Sequence, residues 1–255
     1  MISELYKYRQ LLKSNVRKEI RGKYKGSFLG VLWSFVNPLL MTLVYAIVFP
    51  FILKNGEPHY TTFIVCAILP WTFFVTSISQ GTNCVLVQGN IIKKVYFPRL
   101  ILPLSVVIST LINFLISCII ICIFLLVSGI GFSWYILYLP VIALIQFILT
   151  LGIVLITSSI DVYIRDLEYI VNFFVSLLFY GTPILYSATL FPESFRFILR
   201  LNPLATLIES YRNIFYYQQS PDLLALLFVF LFSVVLFFIG LGIFSKLEKG
   251  FAEEV

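Results

Sequence analysis

The side chains able to do chemistry are sparse in this sequence, and none of them forms a recognisable catalytic set. There is one histidine, His59, and there are four cysteines, Cys66, Cys84, Cys118 and Cys122, with no CxxC pair and no spacing suited to a metal. All four cysteines fall in or beside apolar segments, where small packing residues are expected. Neither a GxxxxGK(S/T) phosphate loop nor an HExxH pair occurs, so no nucleotide hydrolysis, metal or catalytic residue is expected of this chain alone. The densest ionisable stretch is 161–168 (DVYIRDLE), where Asp161, Asp166 and Glu168 flank Arg165. A salt-bridged turn capping the following helix is the expectation there. Two basic groups stand out: Arg17, Lys18, Arg21, Lys23 and Lys25 near the start, and Lys93 and Lys94 just before Tyr96 and Phe97. The second group pairs bulky rings with a charged rim, which is how interface hot spots are built.

The elements that must position these residues are membrane helices. Hydrophobic residues make up 60% of the chain and charged ones only 12%, with a mean hydropathy of +1.00. Soluble proteins carry about 25% charged residues. Apolar runs of membrane-crossing length recur, and stretches such as 115–127 and 223–238 do not alternate as barrel strands would. Helix satisfies every backbone group within the segment, so an all-α membrane protein is predicted. Six transmembrane helices are expected at about 31–53, 61–79, 103–127, 134–160, 169–186 and 223–244. Asn37, Asn113, Gln146 and Asn172 supply most of the polarity within them, which suits helix packing. Ionisable groups are nearly absent from the spans, which argues against an ion-coupled carrier.

Residues 1–28 read as a basic amphipathic interface helix, with Leu5, Leu12, Val16 and Ile20 at helical spacing among the cations. The first 27 residues are polar and basic, without the apolar core of a cleavable signal peptide. Fourteen of the 18 Lys and Arg fall on the side of the two termini, so the positive-inside rule puts both termini in the cytoplasm of a multi-pass protein of the cell (inner) membrane. Residues 29–255 are expected to form the six-span transmembrane domain, with a cytoplasmic connector at about 80–99. Between spans five and six, about 187–222, two short apolar segments break at Asn202-Pro203. Each is too short to cross, so a re-entrant helical hairpin on the outer face is expected.

Four blocks carry a family resemblance: EIRGKYKGSFLGVLWSFVNPLL (19–40), QGNIIKKVYFPRLILPLS (88–105), RDLEYIVNFFVSLLFYGTPILYS (165–187) and LNPLATLIESYRNIFY (201–216). Their order and spacing resemble those of ABC-transporter permeases that export cell-surface polysaccharides, a family that includes O-antigen, capsule and wall teichoic acid exporters. The resemblance implies a homodimer of permeases working with two copies of a separate ATPase subunit, which binds the ATP and Mg; this chain would bind no cofactor. It implies that the 80–99 connector couples to the ATPase through Asn90, Lys93, Lys94, Tyr96 and Phe97. It further implies a polyprenyl-pyrophosphate-linked glycan as substrate. Arg21, Lys23 and Lys25 could gather its pyrophosphate, in competition with lipid headgroups. A sliding sugar chain suits aromatic faces, and Trp33, Tyr45, Trp71, Phe73, Phe74 and Tyr180 are the candidates, although rings also collect at membrane interfaces. Membrane lipids are expected partners and nucleic acid is not. A drug or small-lipid efflux permease would share six spans and a connector but need no glycan-sized channel. A membrane glycosyltransferase or lipid-modifying enzyme would need clustered acids or histidines at one face, and a passive scaffold would need neither.

Overall fold

The computed structural model describes residues 6–22, 32–53, 58–188, 199 and 201–255, and every regular element among them is helical. In chain order these are α1 (Arg9–Gly22), α2 (Trp33–Leu53), α3 (Tyr60–Thr82), α4 (Cys84–Val87), α5 (Gly89–Ile92), α6 (Ile101–Val127), α7 (Leu139–Asp161), α8 (Leu167–Tyr180), α9 (Pro203–Phe215), α10 (Leu223–Leu247) and α11 (Phe251–Glu254). Four stretches are long and apolar enough to cross a membrane: α3, α6, α7 with the 3₁₀ turn before it, and α10 with its continuation to Glu254. The fifth predicted span ends sooner than its apolar run. Helix α8 has 14 residues, about 21 Å at 1.5 Å per residue, because Gly181 and Pro183 stop it before Tyr186.

Helix α3 is the centre of the molecule. Over its most apolar window it is 78% buried against 22% for α10, so α3 is walled by protein while α10 faces outward. It packs on α6, α7, α2 and α9, and small hydroxyls join it to its neighbours: Ser77 to Thr110 at 2.6 Å and Thr82 to Thr157 at 3.0 Å. The tightest pairing is α7 with α10. A Cβ on Gly240 would lie 2.5 Å from the Gly152 carbonyl oxygen, and one on Gly152 would lie 2.9 Å from the Phe237 backbone nitrogen. Only glycine admits this approach, the small-residue solution to helix packing in lipid.

Helix α9 is amphipathic and enters the bundle. Asn202 caps its start by accepting from Leu204 N–H at 3.0 Å, and its Nδ2 donates to Thr182 Oγ1 at 3.0 Å. Further along, Tyr211 donates to Gln146 Oε1 at 2.8 Å, and Gln146 Nε2 donates to the Pro70 carbonyl at 2.9 Å. Pro70 lies ten residues into α3, so this chain of bonds ties α9, α7 and α3 well below their ends. The first arm of the expected hairpin, 190–201, lies outside the described residues apart from Leu199, which is buried, and exposed Leu201.

Polar contacts collect at the two ends of the bundle. At one end α1 packs along α6, with Leu12, Val16 and Ile20 half-buried and Lys13, Arg17 and Lys18 exposed, as amphipathic spacing demands. At the opposite end Tyr216 donates to the Pro58 carbonyl, Gln218 to the Ile130 carbonyl at 2.7 Å, and Tyr60 to the Leu185 carbonyl at 2.6 Å.

Candidate functional site

The connector expected at 80–99 is two single turns, α4 and α5, which meet at Gln88 and run through a further turn to Pro98. Its surface divides cleanly. Asn90, Lys93, Lys94 and Tyr96 are exposed, Tyr96 at 84%, whereas Phe97 is 6% exposed and belongs to the core. Phe97 is therefore an internal anchor of the connector and offers no ring to a partner. Val87, Ile91 and Val95 are exposed as Tyr96 is, and they take the place of Phe97 in the apolar strip. Sequence reading missed them because they look like ordinary core residues.

Behind the connector stands the C-terminal segment. Arg99 donates to the Glu248 carbonyl, and its guanidinium lies 5.8 Å from the Phe251 ring centre. Phe251 is fully buried, edge-on to Phe244 at 5.4 Å and 6.4 Å from Tyr163, whose hydroxyl donates to the Leu247 carbonyl at 2.9 Å. Gly89 of α5 rests directly on Val255. The charged turn at 161–168 joins the same end. Asp161 Oδ1 accepts from Glu168 N–H at 3.1 Å, and Asn83 Nδ2 donates to Glu168 Oε1 at 3.0 Å. These bonds hold the turn; among the described residues no ion pair ties Arg165 to Asp161, Asp166 or Glu168.

The candidate ring residues fall into two grooves, one on each side of α2. Tyr45, Trp71 and Tyr180 line a groove of about 410 Å³ between α2, α3 and α8. Phe179, which sequence reading did not single out, stands in its middle, 6.0 Å from the Tyr45 ring and 5.7 Å from Trp71. Phe74 is buried behind Trp71 at 5.7 Å and supports the wall without lining it. Trp33 and Phe73 line a second groove of about 270 Å³ between α2, α3 and α6, where Phe73 stacks on Phe114 at 5.7 Å. Lys23 and Lys25 lie outside the described residues, as does the Arg21 side chain.

Arg212, one of the four Lys and Arg not assigned to the side of the termini, has a larger place in the structure. It is 2% exposed, donates to the carbonyls of Pro183, Ile184 and Tyr186, and lies 3.6 Å from the Phe63 ring centre. Burial pulls its pKa down to about 10, with Tyr217, Cys66 and Glu209 opposing the shift, so it stays charged at neutral pH. The carbonyls it holds belong to the turn that follows α8, past Gly181. The one Arg in the amphipathic segment 204–215 was the available signal.

No group of three or more His, Cys, Asp or Glu side chains able to hold a metal is found among the described residues. What the arrangement offers is surfaces: an exposed, braced connector at one end and two aromatic grooves along a loosely covered helix.

Comparison with known proteins agrees with that inventory. Residues 10–216 match the family of ABC-2 type transporters. An O-antigen export system permease protein, RfbA, from Myxococcus xanthus is 38% identical, the alignment covering 100% of this chain and 99% of the relative. Two RfbA permeases from Klebsiella pneumoniae are 36% and 37% identical over 95% of this chain and 94% of their own length.

Proposed function

Since the chain belongs to the ABC-2 type transporter family, we propose that it is the membrane permease of an ATP-driven exporter for a lipid-linked cell-surface polysaccharide of the O-antigen kind. It is a transport subunit, and ATP is hydrolysed by a separate partner. The observation that carries the reading is end-to-end identity of 36–38% with relatives named as O-antigen export permeases. The absence of a nucleotide loop from the sequence fits a chain driven from outside.

In this reading α2 and α8 also traverse the membrane and bring the spans to six, while α9 is the second arm of a re-entrant hairpin on the outer face. The depth at which Tyr211 meets Gln146 and Pro70 supports that placement. Both termini and the connector face the cytoplasm, supported by the exposed cations of α1 beside α6 and by Lys93 and Lys94 at the same end. Two copies of the chain assemble with two ATPase subunits. The strip of Val87, Ile91, Val95 and Tyr96, rimmed by Asn90, Lys93 and Lys94, receives the ATPase; α11 and Arg99 back it so that a push is transmitted and not absorbed. Arg21, Lys23 and Lys25 gather the pyrophosphate at the cytoplasmic surface. The groove of Tyr45, Trp71, Phe179 and Tyr180 passes the sugar chain, since ring faces pack on sugar C–H surfaces without fixed hydrogen bonds.

The test is reconstitution of the chain with its ATPase subunit in vesicles loaded with lipid-linked polysaccharide. ATP should drive the glycan across only when both subunits are present. Lys93→Glu with Tyr96→Ala should abolish substrate-stimulated hydrolysis while the chain stays inserted. Transport of small amphiphiles with none of the polysaccharide would replace this reading with that of an efflux permease.

A further inference from the structure

Two helix starts at the connector's end of the bundle leave their own caps unused. Asn83 closes α3 and opens α4, a position where an Asn side chain ordinarily accepts from the helix that follows, yet it makes no such bond. Asp166 opens α8, and its carboxylate likewise accepts nothing from that helix. The side chains present are spent across elements. Asn83 Nδ2 donates to Glu168 Oε1 at 3.0 Å, 85 positions away in the chain. The Glu168 N–H, in the first turn of α8, is held at 3.1 Å by Asp161 Oδ1, from the last residue of α7.

These three side chains join a stiff element, a loose one and the connector. Asp161 is fully buried and stands on α7, the helix locked to α10 at the Gly152–Gly240 contact. Glu168 is half-buried on α8, which buries only Val175 and leaves Tyr169 and Ile170 exposed. Asn83 stands at the head of α4, within the connector. Among the described residues its bond to Glu168 is the only side-chain hydrogen bond between the connector and α8. An amide N–H on a carboxylate is charge-assisted, and stronger than a bond between neutral groups. With so little lateral packing on α8, the place of its first turn is set by what holds Glu168: Asp161 on the stiff side and Asn83 on the connector side.

We propose that Asn83, Glu168 and Asp161 form a clasp that makes α8 follow the connector: displacement of α4 passes through the Asn83–Glu168 bond to the first turn of α8, which swings about Asp161. This rests on the export reading, in which a separate ATPase moves the connector. Asn83 and Glu168 are positioning residues, acting on transport through the helix they steer.

The test uses the complex reconstituted with its ATPase subunit and lipid-linked polysaccharide, and reads glycan moved per ATP hydrolysed. If the parent complex moves no glycan, the export reading fails, whatever the clasp does. If it does move glycan, Asn83→Asp, which sets a second carboxylate against Glu168, should lower glycan per ATP several-fold while basal hydrolysis persists. Adding Glu168→Gln restores a donor and an acceptor with their roles exchanged, and the ratio should return to about the parent's value. A ratio in Asn83→Asp equal to the parent's, or one that the second change leaves low, would overturn the clasp. A loss of packing alone would cut the amount of active complex and leave the ratio where it was. Should Asn83→Asp fail to insert, hydrogen exchange on the parent complex gives an independent answer. Trapping the ATPase in its ATP-bound state should change backbone exchange at residues 84–92 and 167–171 together, and no change at 167–171 would equally overturn the proposal.

Discussion

Arg212 shows how one side chain can hold a turn that the sequence breaks. Gly181 and Pro183 end α8, and in the turn beyond it a forked guanidinium meets three carbonyls, those of Pro183, Ile184 and Tyr186, while its face rests on Phe63. Lysine has one donor centre in place of a planar fork, so Arg212→Lys should recover little of the loss. We expect Arg212→Met to destabilise the protein by about 3–5 kcal/mol, read as a lower midpoint of thermal unfolding in detergent, with Arg212→Lys nearly as low. A midpoint for Arg212→Lys equal to the parent's would show that charge alone suffices. The partners of Arg212 were not legible in the sequence, since they lie about 30 and 150 positions away. Trp71 and Tyr45 were legible as ring residues, but their shared partner Phe179 was hidden among the 26 phenylalanines.

Among the elements, hydrophobic length and amphipathic spacing revealed most of the helices, while the joints between them needed three dimensions. Helices α3, α6, α7 and α10 follow directly from uninterrupted apolar runs, and α1 from its repeat of apolar residues among cations. The connector was legible in position but not in surface: Phe97 and Tyr96 are adjacent, equally bulky and oppositely placed, a distinction set by the residues packed behind them. On either side of that pair, Gly89 and Arg99 meet residues from the far end of the chain, Val255, Glu248 and Phe251. Phe251→Ala should therefore empty the space between Phe244, Tyr163 and Arg99 and loosen the connector selectively. Backbone hydrogen exchange at residues 84–92 should quicken several-fold, and less glycan should move per ATP hydrolysed, with α3 and α7 unaffected. Exchange rising equally in every helix would mean that Phe251 serves global packing alone.

At the scale of the molecule, the proposed sidedness rests on the distribution of Lys and Arg and is open to direct test. The connector and Trp134 lie at opposite ends of α6 and of the stretch leading into α7, and both Tyr96 and Trp134 are highly exposed. A membrane-impermeant maleimide should label Trp134→Cys on intact cells and Tyr96→Cys only after the membrane is opened. The reverse pattern would invert the whole arrangement. The four membrane-length helices were legible because apolar length is a property of a single segment. Which segments pack closely was not, since that depends on pairs of residues such as Gly152 and Gly240, far apart in the chain.

That glycine pair has a mechanical consequence. Where two backbones touch, nothing deformable lies between them, so α7 and α10 behave as one beam and neither can slide along the other without collision. Helix α2 has its main contact with α3 alone and is undercut by a hollow on each flank; α8 buries only Val175 of its 14 residues. Under the proposed coupling, a stroke delivered at the connector would be taken up by α2 and α8, the doors hung on a stiff frame.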